Sequence, residues 1–190
     1  RHACVGTNLS TMDALEDIVA ETGLRPDDVA DIHIALTESA VSHSYWTPYL
    51  PGDLTAAQMH IGFCVAMKLI DGEVFVEQMV EDNIARPDLV AFANRVKVTR
   101  DLEREAKGRP YARGARVDIT LKNGKAISRT VDFYLGSPRK PMTGEQMAAK
   151  YRRLAIKTLP AERVSVIEDF VWGLENQSSI SPLVEALRGK

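Results

Sequence analysis

The first eight residues of the chain combine groups that could bind an anion. Thr7 and Asn8 lead into a predicted helix, and the free N–H groups and positive dipole end of a helix favour a negative charge. With a nearby cation, these groups could hold a carboxylate. An ordinary capping segment has the same composition, so the residues alone leave both interpretations open.

A second candidate is His43, which lies in a predicted loop over residues 37–53. The loop also contains Tyr45, Trp46 and Tyr49, and a long loop rich in aromatic side chains is often functional. In such a place His43 could donate a hydrogen bond to a carboxylate or move a proton. A surface histidine without a role is the alternative.

Two other pairs are weaker candidates. His60 precedes Cys64 by about one helical turn, but the surrounding helix is so apolar that a place in the core is favoured. Arg139 and Lys140 lie between two prolines and could reach an anion, although a solvated turn is the commoner outcome.

Several classes of protein are disfavoured. The sequence contains no Gly-rich phosphate loop and no GxSxG, HExxH or EF-hand motif, and its histidines have no metal-site spacing. Lys and Arg total 24 against 26 Asp and Glu, which argues against nucleic-acid and membrane-surface partners. Only two cysteines and no long apolar run predict a soluble, cytoplasmic protein.

Hydrophobic periodicity predicts the helices that position these residues. A first helix begins at a Ser10 or Thr11 cap, with Asp13 in its first turn, and ends at Gly23. A strongly apolar helix begins at a Thr55 cap and continues to about residue 70. Two short helices are predicted over residues 75–84 and 87–94.

Alternating apolar residues predict strands over residues 31–36, 96–98, 117–121 and 127–133. The sequence Lys-Asn-Gly-Lys at residues 122–125 predicts a hairpin with a type I′ turn. The chain then becomes helical. The fold class is therefore α+β, with a small antiparallel sheet and helices over residues 1–138 and a helical C-terminal segment over residues 139–190.

Seven segments, taken in order, resemble the MmgE/PrpD family of dehydratases, decarboxylases and epimerases. They are residues 54–59, 63–66, 69–72, 88–98, 119–124, 136–143 and 150–152. Their order and spacing are more specific than any one segment, and together they cover nearly the whole chain. The resemblance implies a large all-helical domain, built from the N-terminal half and the end of the chain, with a smaller α+β domain between.

On this picture residues 1–138 form the smaller domain and residues 139–190 return to the helical one. The tail would expose an apolar stripe without that domain, formed by Val164, Ile167, Phe170 and Val171. The chain also begins without methionine. We therefore expect it to be the C-terminal portion of an enzyme whose N-terminal helical portion is present as a separate chain, with a homodimer of the assembled unit.

The resemblance also implies a chemistry that needs no metal and no organic cofactor. A lyase of the dehydratase type is expected to act on a small di- or tricarboxylic acid by abstracting a proton next to a carboxylate. The alternatives are an isomerase or epimerase of the same family, or a non-catalytic regulatory or dimerisation subunit.

The resemblance places a basic residue and a histidine just ahead of the first helix. The basic position falls at or just before Arg1, and the usual histidine position holds Val5 or a neighbour, so His2 is the substitute; this departure argues against decarboxylation. The implied catalytic residues are His2 and His43. The implied substrate-binding residues are Arg1, Cys4, Thr7 and Asn8.

Overall fold

The computed structural model describes residues 1–188, and Gly189 and Lys190, the end of the predicted segment 139–190, lie outside the described residues. The chain divides into two compact units, Arg1–Pro141 and a second that begins at Met142. The first contains the sheet and the second is helical, so the predicted α+β class is confirmed. The assignment of the tail to a larger helical domain stays a prediction.

The first unit contains seven helices and four strands within the described residues. The helices are α1 (Leu9–Thr22), α2 (Glu38–Ser44), α3 (Leu54–Met59), α4 (Ile61–Ile70), α5 (Glu81–Ile84), α6 (Pro87–Ala93) and α7 (Leu102–Ala106). The strands are β1 (Val29–Leu36), β2 (Val96–Arg100), β3 (Ala115–Leu121) and β4 (Ala126–Val131). Short 3₁₀ turns cover Gly6–Asn8, Pro26–Asp28 and Arg109–Tyr111.

The four strands form one sheet in the order β2-β1-β3-β4. The pairs β1–β3 and β3–β4 are antiparallel, as predicted, whereas β1 and β2 are parallel, with Ile32 opposite Val96. The parallel pair follows from the long connection through α2 to α6, since parallel neighbours need a crossover. Helix α1 packs on β3 and β4, and α4 packs between α1 and α6.

The strand alternation accounts for the core between sheet and helices. Ile32, Ile34 and Leu36 of β1 are buried, as are Val117 and Ile119 of β3. Because successive side chains of a strand point to opposite faces, these residues lie on one face of the sheet. That face packs against the buried side of α1 and encloses the first unit's core.

Two predicted helix caps are wrong, although the helices exist. Ser10 and Thr11 lie inside α1 and are buried, so they do not cap it. Gly23 ends α1 in the left-handed conformation, as predicted. The cap before α3 is Asp53 rather than Thr55, and its carboxylate accepts a hydrogen bond from the Ala56 N–H at 2.7 Å.

The predicted helix over residues 55–70 is two helices, which meet at His60. His60 has extended backbone (ψ 113°) and ends α3 while it caps α4. Glycine at position 62 allows α6 to approach the start of α4, because a Cβ there would lie 2.7 Å from the Ala93 carbonyl oxygen. Periodicity cannot detect such a break, since both helices are apolar.

The predicted loop over residues 37–53 is helical in its first half, where α2 forms, and its aromatic part follows as a true loop. The predicted helix over residues 75–84 is reduced to α5.

The hairpin between β3 and β4 is confirmed, but its turn is not type I′. A type I′ turn needs positive φ at two central residues, and only Gly124 (φ 83°) has it.

The second unit consists of α8 (Gly144–Ala155), α9 (Ala161–Trp172), a 3₁₀ turn and α10 (Ser181–Leu187). The predicted capping box of α8 is confirmed, since Thr143 and Gln146 each accept a hydrogen bond from the other's N–H group. Of the four residues in the predicted exposed stripe, Val164, Ile167 and Phe170 are buried within the chain, and Val171 is 51% exposed. Within residues 1–188 no helix has the length and apolarity to cross a bilayer.

Candidate functional site

The segment that precedes α1 is held in place by backbone hydrogen bonds. The Ala3 N–H donates to the Val74 carbonyl at 2.9 Å, and the Val5 N–H donates to the Gln58 carbonyl at 3.1 Å. The segment is therefore fixed between α3 and the residues after α4. This position brings its first two side chains onto α1.

Arg1, His2, Asp13 and Glu16 form a cluster of charged and titratable side chains, here called the Asp13 cluster. Asp13, 3% exposed, accepts hydrogen bonds from the Arg1 guanidinium at 2.7 Å and from the Leu135 N–H at 2.7 Å. Arg1 also pairs with Glu16. His2 Nε2 lies 3.7 Å from the Asp13 carboxylate, beyond hydrogen-bond distance, and has no hydrogen-bond partner among residues 1–188.

The surroundings of the cluster shift two pKa values. Burial lowers the pKa of His2; the positive charges of Arg1 and Lys68 add to this effect, and Asp13 opposes it. Burial alone would raise the pKa of Asp13, but His2, the Leu135 N–H and Arg1 outweigh it, so the pKa is lowered. At neutral pH the cluster therefore holds a neutral imidazole beside an ionised carboxylate.

Lys68 adds a second cation near the cluster. It is 8% exposed, and burial, followed by the Arg1 charge, lowers its pKa, while Glu73 and Asp13 oppose the shift. A buried lysine is rare unless negative charge is close. Two cations and a neutral histidine therefore lie close together around Asp13.

The cluster also contains the donor set of a metal site. Ligand atoms of His2, Asp13 and Glu16 lie within 4.8 Å of one another. The Arg1 guanidinium pairs with both carboxylates, so the cation that balances them is part of the chain. A metal ion would have to displace Arg1.

A pocket of about 290 Å³ opens beside the cluster, between the N-terminal segment and α3. Its lining consists of His2, Ala3, Cys4, Val5, Thr55, Gln58 and Met59. Two of the predicted site residues, His2 and Cys4, thus share one pocket, and the hydroxyl and amide of Thr55 and Gln58 offer polar contacts. Pockets of this size and mixed lining suit small metabolites.

Thr7 and Asn8, the other two predicted binding residues of the segment, make internal contacts. Thr7 exchanges a hydrogen bond with the Ser44 hydroxyl of α2. Asn8 is fully buried and donates to the Met59 carbonyl at 3.0 Å and to the Cys64 sulfur at 3.6 Å. Substrate contact by these two residues stays a prediction, and the structure shows both tying the segment to the rest of the unit.

His43 lies on α2, not in the aromatic loop as predicted, and its side chain is exposed. Its Nδ1 atom forms a hydrogen bond with the Ser39 carbonyl at 2.8 Å, one turn earlier. Its proposed catalytic role stays a prediction. The aromatic loop instead packs on His60, whose ring centre lies 4.7 Å from the Trp46 ring and 4.7 Å from the Tyr49 ring.

Sequence reasoning did not include Asp13, Lys68 and Gln58 among the site residues. Asp13 was interpreted as a carboxylate of the first helical turn, but α1 begins earlier, at Leu9, and places it in the buried interior. The signal for Lys68 was its place as the one charged residue of the apolar α4 sequence. No sequence signal marks Gln58.

Residues 2–176 match the sequence model of the MmgE/PrpD C-terminal domain. A cis-aconitate decarboxylase from Aspergillus terreus is 31% identical over 98% of the chain, which covers 39% of that protein. A cis-aconitate decarboxylase-like protein from Aspergillus oryzae is 25% identical over 100% of the chain and 40% of that protein.

The human cis-aconitate decarboxylase is 27% identical over 90% of the chain and 35% of that protein. The chain therefore spans about two fifths of the length of these relatives, or slightly less.

Proposed function

Because the chain belongs to the MmgE/PrpD family, we propose that it is the C-terminal part of a lyase that acts on a small di- or tricarboxylic acid. The favoured reaction is decarboxylation, and cis-aconitate is the first substrate to test. The relatives that cover at least 90% of the chain carry the name of that activity or of a protein like it. The prediction of a dehydratase becomes the second candidate.

The observation that carries the proposal is the Asp13 cluster beside the pocket of His2 and Cys4. Arg1 is the cation of the cluster, and it is paired with Asp13 and Glu16. A substrate carboxylate would therefore have to take the place of one of these partners, and in a partly buried site such an ion pair is stronger than in water. Held in this way, the guanidinium would stabilise the charge that develops during C–C or C–O cleavage.

His2 is proposed to move the proton. In a decarboxylation, the bond to the departing carboxylate breaks, carbon dioxide leaves and the remaining carbon takes up a proton. In a dehydration, a proton is removed next to a carboxylate and a hydroxyl leaves as water. A histidine serves either step, as an acid when protonated and as a base when neutral.

Dehydration is kept as the second candidate because of the protonation state of His2. Its lowered pKa leaves a neutral imidazole at pH 7, which is ready to accept a proton rather than to donate one. Activity that rises with pH would support this candidate, and activity that rises as pH falls would support proton donation by His2.

We also propose that an N-terminal helical portion completes the enzyme and packs on the tail. Helices α8 and α9 form an apolar groove of about 360 Å³, in which Met147, Val171 and Trp172 are each about half exposed. Exposed apolar surface of this kind usually has a partner. The chain spans only 39% of a relative such as the Aspergillus terreus decarboxylase. The proposed occupant of the groove is a segment equivalent to the part of that relative that the chain does not cover.

Native and denaturing mass spectrometry of the purified protein tests the partner. A larger polypeptide in fixed ratio with this sequence, or joined to it, supports the proposal. A monodisperse 21 kDa species that turns over a polycarboxylate unaided would contradict it.

The reaction is tested by incubating the same protein with cis-aconitate and, separately, with citrate, while ¹H NMR and a carbon dioxide assay follow the products. His2→Gln is expected to reduce kcat by about 100-fold or more. His33→Gln is the matched control, since the His33 ring forms a hydrogen bond with the Thr99 hydroxyl on the sheet, and it should leave kcat unchanged. Full activity of His2→Gln would refute the assignment of His2, and no turnover of any polycarboxylate by the intact protein would refute the lyase.

A further inference from the structure

Three arginines converge on a second, larger cavity of the first unit. This cavity of about 510 Å³ is lined by Arg109, Pro110, Ala112, Arg113, Asp132, Phe133, Tyr134, Ser137, Pro138 and Arg139. We call this cavity the arginine pocket. It shares no lining residue with the pocket of His2 and Cys4.

None of the three guanidinium groups forms an ion pair with a carboxylate of residues 1–188. Arg109, Arg113 and Arg139 are absent from the ion pairs that the described part of the chain makes, whereas most of its other arginines are paired. Like charges held together repel one another, and the repulsion weakens when an anion binds between them.

The one acidic residue of the lining, Asp132, already has a partner. Its carboxylate accepts a hydrogen bond at 2.7 Å from Arg104, which is itself 3% exposed. A Cβ at Gly114 would lie 2.0 Å from the Arg104 side chain, so glycine leaves room for this buried arginine. Arg104 also pairs with Asp101, so Asp132 keeps part of its negative charge, which can offset at most one of the three arginines.

Two of the three arginines are held in position by aromatic side chains. The Arg139 guanidinium lies 5.0 Å from the ring centre of Phe133 and 5.9 Å from that of Tyr111, a cation–π arrangement. Arg113 donates a hydrogen bond to the Tyr134 hydroxyl at 3.2 Å. Groups that are already ordered lose less conformational freedom when a ligand binds.

We propose that the arginine pocket binds a small oligoanion, a molecule with at least two phosphate or carboxylate groups. Guanidinium groups bind both kinds of oxyanion through paired hydrogen bonds, and the cavity has room for such a molecule. Ser137, at the wall of the pocket, can add a hydroxyl contact. The arginine pocket adjoins the N-terminal segment, since a Cβ at Gly6 would lie 3.4 Å from the Arg113 guanidinium, but the proposal does not depend on the lyase function.

Isothermal titration of the purified protein with pyrophosphate, citrate and acetate tests the proposal. Pyrophosphate, citrate or both should bind at about 0.1 M salt, with acetate weaker by about 100-fold because it offers a single oxyanion. Arg113→Gln and Arg139→Gln should each weaken binding by about tenfold or more. Arg139→Lys should weaken it as well, because lysine keeps the charge but lacks the planar group.

Arg116→Gln is the matched control, since Arg116 is an exposed arginine of β3 that is paired with Asp118; it should not change the affinity. Arg109→Gln supplies an independent variant at an exposed turn if another substitution lowers the melting temperature. Preference for pyrophosphate would identify a phosphate ligand, and preference for citrate a carboxylate ligand.

Three results would overturn the proposal. They are no binding of either oligoanion, unchanged affinity in all the pocket variants, and loss of the binding of both oligoanions in His2→Gln but not in Arg113→Gln. The last result would place both anions at the Asp13 cluster, and it would leave the proposed lyase function standing.

Discussion

His2 and His60 are both buried, and burial lowers the pKa of both, yet their surroundings differ. His60 Nε2 bonds to the Trp46 carbonyl at 2.8 Å, and Nδ1 accepts the Phe63 N–H at 3.0 Å. Both nitrogens therefore have partners, and one tautomer is fixed. His2 Nε2 has no partner among the described residues, and charged side chains lie around it.

The comparison shows that burial alone does not mark a functional histidine. His60 stabilises the fold, since it caps α4 and anchors the aromatic loop. His2 lines a pocket, and its buried Nε2 lies 3.7 Å from the Asp13 carboxylate without a hydrogen-bond partner among residues 1–188. Substitutions should separate these roles by their effect on the free energy of unfolding.

The largest expected effect is that of His60→Ala. The change removes the cap of α4, leaves the Trp46 carbonyl without its donor and takes away the ring that the loop packs on. We therefore expect the free energy of unfolding to fall by about 3 kcal/mol. Urea denaturation measures it. A loss below about 1 kcal/mol would show that His60 does not anchor the loop.

Asp13→Asn should lower the free energy of unfolding by about 2 kcal/mol. Asparagine keeps the shape of the side chain but loses the negative charge that pairs with Arg1, and the Asp13 side chain is only 3% exposed. The matched control is Asp31→Asn, an exposed partner of Lys97, which should change the free energy of unfolding by less than about 0.5 kcal/mol. Equal losses in both variants would contradict a special role for the Asp13 cluster.

Stability should fall as the pH drops below about 6.5, the ordinary pKa of histidine. A lowered pKa in the folded state means that the unfolded chain binds protons first, so each histidine contributes a slope of up to about 1.4 kcal/mol per pH unit. The pKa of Asp13 is lowered from 3.8, so its contribution to the free energy of unfolding is lost only at more acidic pH. Urea denaturation from about pH 5 to about pH 7, the range in which histidine titrates, measures the free energy of unfolding against pH. Its slope should be smaller for His60→Gln. An unchanged slope would show that His60 does not cause the pH dependence.

The smallest effect on stability is expected for His2→Gln, at less than about 1 kcal/mol, because no hydrogen bond of the Nε2 atom is lost. Thermal unfolding of the variant and the parent protein measures it. A loss as large as that of His60→Ala would mean that His2 is a structural residue too.

Local sequence signals predicted most elements of the fold. Gly23, the Thr143 capping box and the alternation within β1 and β3 were recognised because each signal lies within a few residues of the feature it produces. The failures are the caps of α1 and α3, the type of the hairpin turn, the break at His60 and the helix that contains His43. Helix α2 was missed because its short sequence has no clear period.

The candidate site was predicted in part, for the same reason. The residue types alone indicated residues 1–8 as a candidate anion site, since they precede a recognisable helix, and the family resemblance added the role of His2. It could not show that Asp13 meets the Leu135 N–H, 122 positions away, or that Arg109, Arg113 and Arg139 share a cavity.

The sequence by itself determined the fold class and the family, because hydrophobic period, turns and ordered motifs are properties of neighbouring residues. Only the tertiary structure decided which charged groups meet, which histidine has a nitrogen without a hydrogen-bond partner and which arginines remain unpaired in the described chain. Burial and charge pairing depend on residues brought together from distant parts of the sequence, and these two factors set the chemistry of a site.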